Sequence, residues 1–205
     1  MTERRARVGR DITVEERRSA VLSAAVRCIA EQGWQNVRLR DVASTAGVSI
    51  GLLQHYFESR EQLVAQAFGQ ASRDLLEQAT AADPVDASAW SRVVALLEPL
   101  FDPDYRRTRS LLWVEFATAA ARHAEIREAF GAIYEAWHAR LREVVAAGVA
   151  SGELSPVMAV DDVVEAILQH NDGFIMAVAS GLGRVSADRM RTLTFGTAAA
   201  LLGHR

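Results

Sequence analysis

Lysine is absent: all 23 basic residues are arginine, a pattern read here as compositional bias. Cysteine occurs once, at Cys28, which excludes an internal disulfide framework and a cysteine-built metal cage. That residue falls on an apolar helix position, where a buried, inert thiol is expected. Four prolines and few Asn/Gly clusters leave little room for the turns of an all-β protein. No apolar run approaches the ~20 residues that span a bilayer. The basic start "MTERRARVGRD" is not followed by the apolar core of a signal peptide. The expectation is a cytoplasmic protein.

What remains is a chain of 205 residues, 50% hydrophobic and 24% charged, long enough for one sizeable domain or two small ones sharing a core. Ala, Leu, Arg and Glu dominate, and these are good helix formers. The net charge of -3 hides an asymmetry. Residues 1–60 hold ten Arg against seven acids, and residues 61–205 hold thirteen Arg against nineteen. The front of the chain is therefore the part suited to a polyanion.

Helix signals follow one another. "TVEE" (13–16) is a capping box, after which Val21, Ala25, Cys28 and Ile29 recur at helical spacing until Gly33. A second helix is predicted over 39–46, ending at Gly47, and Ser49 caps a third. Ser59, with Gln62 three residues on, caps a fourth that reaches about Thr80. Longer helices are predicted over 87–100, 104–122, 124–150, 159–180 and 186–203. The fold class is all-α, with about nine helices and neither repeats nor low-complexity segments.

Two short helices joined by a Gly-containing turn form the helix-turn-helix pattern, and "LRDVASTAGVSIGLLQHYF" (39–57) fits it. Ala43 is small where the helices cross, Gly47 makes the turn, and Val48 and Leu53 point inward. The second helix could then lie in a major groove with its N-terminal residues at base edges. "AGVSIGLLQHYFESREQL" resembles the signature of the TetR family of transcriptional regulators, and "GLLQHYF" is similar to its BetI-like subgroup. The detailed resemblance covers roughly residues 14–68. The rest agrees in helix count and lengths, with fragments such as "LLWVEFATAAARH" and "HNDGF".

The resemblance implies an all-α homodimer that binds a near-palindromic DNA operator, with no cofactor, no metal and no catalytic residues. It divides the chain into an arm (1–12), a DNA-binding domain (13–58) and a regulatory and dimerisation domain (59–205). It makes Ser49, Gly51, Gln54, His55 and Tyr56 the groove-facing and phosphate-contacting set, with Arg60 as a phosphate ligand at the start of helix 4. Gln pairs well with adenine, a glycine lets backbone approach the groove wall, and Ser, Tyr and Arg are common phosphate donors. Arg38 stands where the family often has a capping Ser or Thr; it cannot cap and, with Arg40, joins the DNA-binding set. Ile50 and Leu52 replace frequent polar residues and either meet thymine methyls or are merely tolerated. His55 is either a groove contact or a surface histidine. Arg4, Arg5, Arg7 and Arg10 are either a minor-groove arm or a solvated tail.

The C-terminal helices carry most large aromatics. Trp113 and Phe116 share one face, as do Phe130, Tyr134 and Trp137; each group is core or pocket wall. The stripe Val160, Val164, Ile167, Asn171, Phe174 and Val178 is interrupted by Asn171, with His170 and Asp172 beside it. A polar group on an apolar stripe needs a partner, and Glu115 poses the same question. The expected small-molecule site is Trp113, Glu115, Phe116, Tyr134, Trp137, His170, Asn171 and Phe174. The last two helices are expected to form the dimer contact through Val163, Ile167 and Ala177 on one and Leu193, Ala198, Leu201 and Leu202 on the other. An α-helical enzyme using His138, His170, Glu115 or Asp172 is the competing reading, against which stands the lack of an H-E-x-x-H or Gly-rich phosphate motif. A relative of the family without DNA binding is the other alternative.

Overall fold

Thr13 opens the first helix by a reciprocal bond. Its hydroxyl accepts the Glu16 N–H at 3.1 Å while Glu16 Oε2 accepts the Thr13 N–H at 2.7 Å, satisfying two donors that a helix start leaves unpaired. The computed structural model describes residues 13–83, 86–103, 106–182 and 186–204. The arm with Arg4, Arg5, Arg7 and Arg10 lies outside them.

Helix α1 (Val14–Gln32) is followed by α2 (Leu39–Ala46), α3 (Ile50–Tyr56) and α4 (Arg60–Ala81). Gly47 ends α2 at φ 69°, a left-handed conformation that carries no penalty without a Cβ. Ser49 and Ser59 cap α3 and α4, their hydroxyls accepting the N–H groups of Leu52 at 3.2 Å and Gln62 at 2.9 Å. Then come α5 (Ala89–Leu97), a 3-10 turn (Glu98–Phe101), α6 (Arg106–Ala120), α7 (Ala124–Ala150), α8 (Val160–Ala179) and α9 (Ala187–Leu202). Among the described residues there are nine α-helices and no strand, as predicted. The helix expected over 87–100 ends at Leu97, because Pro99 lacks the N–H that would continue it, and the chain tightens into the 3-10 turn. No described helix is long and apolar enough to cross a membrane.

Two cores result. The first joins Val21, Val42, Leu53, Phe57 and Phe68 to Phe116, Ile126 and Ile133, so α1–α4 pack onto α6 and α7. The second gathers Val93, Leu97, Leu141, Val144, Val164, Ile167 and Leu202 from α5, α7, α8 and α9. Trp137 borders both. At roughly 1.5–3 kcal/mol per large apolar side chain, the first core makes the front helices a continuation of the bundle. The second has a cost for the expected dimer face. Val163, Ile167, Ala198 and Leu202 are 0–1% exposed inside the chain's own core, which removes them from any partner contact. Of the α8 stripe read in the sequence, Val164, Ile167 and Asn171 are buried, and Val163 and Leu168 are buried beside them.

Gly148 is a further point of closure. A Cβ there would lie 2.5 Å from the Ala89 Cβ and 2.6 Å from Leu154 Cδ1. Gly148→Ala is expected to lower stability by about 1–3 kcal/mol through overpacking, read as a reduced thermal midpoint at unchanged helical circular dichroism.

Candidate functional site

Helix α3 is anchored by Leu53 and by Phe57 just beyond it, 0% and 1% exposed. With those two pinned, the opposite side of the helix faces out. Ser49, Gln54 and His55 are exposed, Ile50 is 46% exposed, and Leu52 and Tyr56 are half-buried. Tyr56 packs against the core with its ring 6.3 Å from Phe57 and 6.0 Å from His55. A Cβ placed on Gly51 would meet nothing within 4 Å, so the fold does not require glycine there. Arg38 and Arg40 are exposed at the start of α2, and Arg38 makes no side-chain cap.

Arg60 is less free than its sequence position implies. Its guanidinium stacks 4.2 Å from the Trp34 ring centroid and donates through Nη2 to the Trp34 carbonyl. It holds the α1–α2 loop to α4, a tether that a phosphate contact would have to share. Trp34 is itself a junction. Its ring meets His123 edge-on at 4.9 Å, and its N–H donates to Glu115 Oε2 at 2.8 Å. Glu115 thus meets the α1–α2 loop, not the bundle interior, which corrects its assignment to a ligand site.

The bundle encloses a cavity of about 380 Å³ between α4, α6, α7 and α8. Trp113, Tyr134, Trp137 and Asn171 line it, as the sequence reading expected. Phe116, Glu115, His170 and Phe174 do not. Helical geometry explains each case. Arg106, Arg109, Ser110 and Trp113 form the inward stripe of α6, and Leu168, Asn171, Asp172 and Ile175 that of α8. Glu115, two residues past Trp113, projects to another side. Phe116 is 2% exposed and stacks on Phe68 at 3.6 Å. His170 and Phe174 meet edge-on at 4.7 Å off the cavity face, where burial lowers the His170 pKa.

Electrostatics mark the cavity wall. Burial, and then the neighbouring Glu165, push Asp172 up to about 6. Burial, Asp172 and Glu165 together push Tyr134 up to about 12, so its hydroxyl stays neutral and donates to Glu165 Oε1 at 3.4 Å. The sequence reading missed Asp172 and Arg106 as wall residues. Asp172 was signalled by its place beside Asn171; Arg106, within a run of arginines, carried no signal at all.

A glycine-turned pair of short helices with an outward polar face, fused through a shared core to a cavity-bearing bundle, defines the helix-turn-helix regulator class. The chain belongs to the TetR family of bacterial regulatory proteins, with a BetI-type C-terminal region. The family model for bacterial regulatory proteins of the tetR family matches residues 21–67, and that for the BetI-type transcriptional repressor C-terminal region matches residues 89–203. The HTH-type transcriptional regulator BetI of Rhizobium meliloti (strain 1021) is 37% identical over 112 residues, 54% of this chain and 55% of that protein. The chain thus spans about half the length of this curated relative in the match. A solved structure from Rhodococcus sp. assigned to the TetR family superposes with a TM-score of 0.83 at 24% identity, covering 92% of this chain and 100% of that one. A transcriptional regulator from Saccharomonospora viridis, solved in complex with choline, gives 0.79 at 25% identity, covering 88% and 94%. These relatives are named as regulators, not enzymes.

Proposed function

We propose that this chain is a sequence-specific DNA-binding repressor, released from a near-palindromic operator when a small molecule fills the cavity between α4, α6, α7 and α8. The observation that carries the reading is the outward face of α3: Ile50, Gln54 and His55 project from a helix anchored on its other side by the buried Leu53. Residues 13–58 form the DNA-binding part and 59–205 the regulatory and dimerisation part. Gln54 reads a base edge, while Tyr56, Ser49 and the arginines at 38, 40 and 60 set the register on phosphates.

Electrophoretic mobility shift with the DNA upstream of its own operon tests the reading. Gln54→Ala should weaken operator binding by about 1–3 kcal/mol and relax base preference, whereas Tyr56→Phe should weaken all sequences alike. Gly51→Ala separates fold from function. Alanine meets no obstacle in the protein and is the better helix former, so thermal stability should hold or rise slightly while operator affinity falls severalfold. Unchanged affinity would remove Gly51 from the groove wall.

One helix-turn-helix makes few base contacts, so two copies should act together, their recognition helices roughly 34–36 Å apart. The surface left for the partner on α8 and α9 includes Phe174, Met176 (56% exposed), Ala177 and Leu193. A stable isologous contact buries about 2,000 Å² or more. Sedimentation at micromolar concentration should give a dimer, and a monomer there would overturn this part of the proposal.

Release follows from geometry. Helix α4 carries Phe68 and Leu75 at the cavity and Arg60 against Trp34; α6 carries Trp113 at the cavity and Glu115 against the Trp34 N–H. A ligand that favours a shifted α4 and α6 also repositions α1–α3, and operator affinity falls by its differential affinity for the two arrangements.

A further inference from the structure

Among the described residues, the cavity wall holds a cation with buried donors that meet no acceptor. Arg106 opens α6 and faces the cavity, and its Nε and Nη1 atoms are buried without a hydrogen-bond partner. No described carboxylate pairs with it. The other wall arginine differs, for Arg109 donates through Nη1 to the Pro99 carbonyl at 2.7 Å. A guanidinium stays protonated in proteins and carries five donors with no acceptor of its own. Leaving such donors buried and unmet is costly, and charged donors more so than neutral ones. The remainder of the wall is largely apolar and aromatic, with Phe68, Trp113, Tyr134 and Trp137 around a space of about 380 Å³, within the range of small-molecule pockets.

We propose that the effector is an organic carboxylate with an apolar or aromatic body, its anionic end seated on Arg106 and its body against Trp113 and Trp137. The inference rests on the ligand-released reading above and adds the charge of the ligand. A monoanion fits better than a phosphate, because Asp74 and Asp172 also line the cavity and oppose a second negative charge. Asn171 and Asp172, on the α8 wall, are placed to meet a hydroxyl or amine further along the body. The cavity is thus polarised: a cation on the α6 wall and hydrogen-bonding acceptors on the α8 wall.

The test uses the full chain and matched probes: benzoate, phenylacetate and octanoate, the corresponding alcohols, and benzyltrimethylammonium. Binding is followed by the fluorescence of Trp113 and Trp137 and by thermal shift. The carboxylates should bind at least roughly tenfold tighter than their alcohols, the scale of a hydrogen bond to a charged group. Arg106→Gln should erase that preference and Arg106→Lys should keep part of it, while Arg107→Gln, on an exposed position of the same helix, should change nothing. The proposal is overturned if no carboxylate binds saturably, if alcohols or the ammonium ion bind as tightly, or if Arg106→Gln keeps the preference. Mobility shift on the same samples separates the two readings. Arg106-dependent carboxylate binding that leaves operator affinity unchanged upholds the anion site and defeats ligand release. Release by the ammonium ion alone upholds ligand release and defeats the anion site.

Discussion

Asp83→Ala is expected to lower the free energy of unfolding by about 3–5 kcal/mol, because it removes the buried carboxylate that Arg92 and Arg140 share, stranding Arg92 and leaving Arg140 only the exposed Glu143. The Asp83 side chain is 1% exposed. Arg92 of α5 donates to both its oxygens at 2.9 Å, and Arg140 of α7 donates to Oδ2. The three residues tie the end of α4 to the two helices that floor the second core. The hydrogen bond from Arg92, aided by the charges of Arg92 and Arg140, holds the Asp83 carboxyl below its usual 3.8 against the opposing effect of burial. A depressed carboxylate stabilises the fold in its ionised form. That contribution is complete above the ordinary value of 3.8 and is lost as pH falls below it through the folded value. Urea unfolding at neutral pH should show the full deficit of the alanine variant. At strongly acidic pH the gap between variant and parent should close. A gap that persisted there would mean that packing around Asp83, not its charge, is what the substitution removes.

The sequence carried the front of the molecule well and its interior less so. Caps are local chemistry, and Thr13, Ser49 and Ser59 each bond the backbone N–H three residues on, within reach of any pattern reading. The turn at Gly47 is local too. The inward face of α8 is broader than the stripe read in the sequence, because Val163, Val164, Ile167 and Leu168 are all apolar and leave the inward direction undetermined over one turn; packing against α6, α7 and α9 fixes it. Glu115 could not be placed from sequence for a related reason. Its partner, the Trp34 N–H, lies 81 residues away, and a glutamate between two aromatics reads equally well as a pocket acid. Arg60 illustrates the opposite case, where the position was found and the local chemistry was not. Its stacking on Trp34 depends on how the α1–α2 loop folds back over α4. Arg106 is the extreme: its unmet donors exist only because the helices around it close a cavity.

That bond between Glu115 and Trp34 yields the second large expectation, which concerns signal and not stability. Glu115→Ala should leave ligand binding in the cavity intact, since Glu115 does not line it. What it removes is a hydrogen bond by which α6 grips the α1–α2 loop, at 2.8 Å from Glu115 Oε2 to the Trp34 backbone nitrogen. Ligand-induced loss of operator affinity in coupled systems amounts to roughly 5–150-fold. In Glu115→Ala that factor should shrink several-fold, because the loop loses its hydrogen bond to α6 and keeps its contacts with Arg60 and His123. A stability loss of about 1–3 kcal/mol from the orphaned Trp34 N–H should accompany it. Glu115→Gln keeps an acceptor oxygen at the same reach and should restore both. Parallel titrations, one by tryptophan fluorescence for the cavity and one by mobility shift for the operator, make the distinction. If Glu115→Ala responds to effector as fully as the parent, the Trp34 bond holds the loop in place without transmitting anything, and α4 alone carries the signal through Phe68 and Arg60.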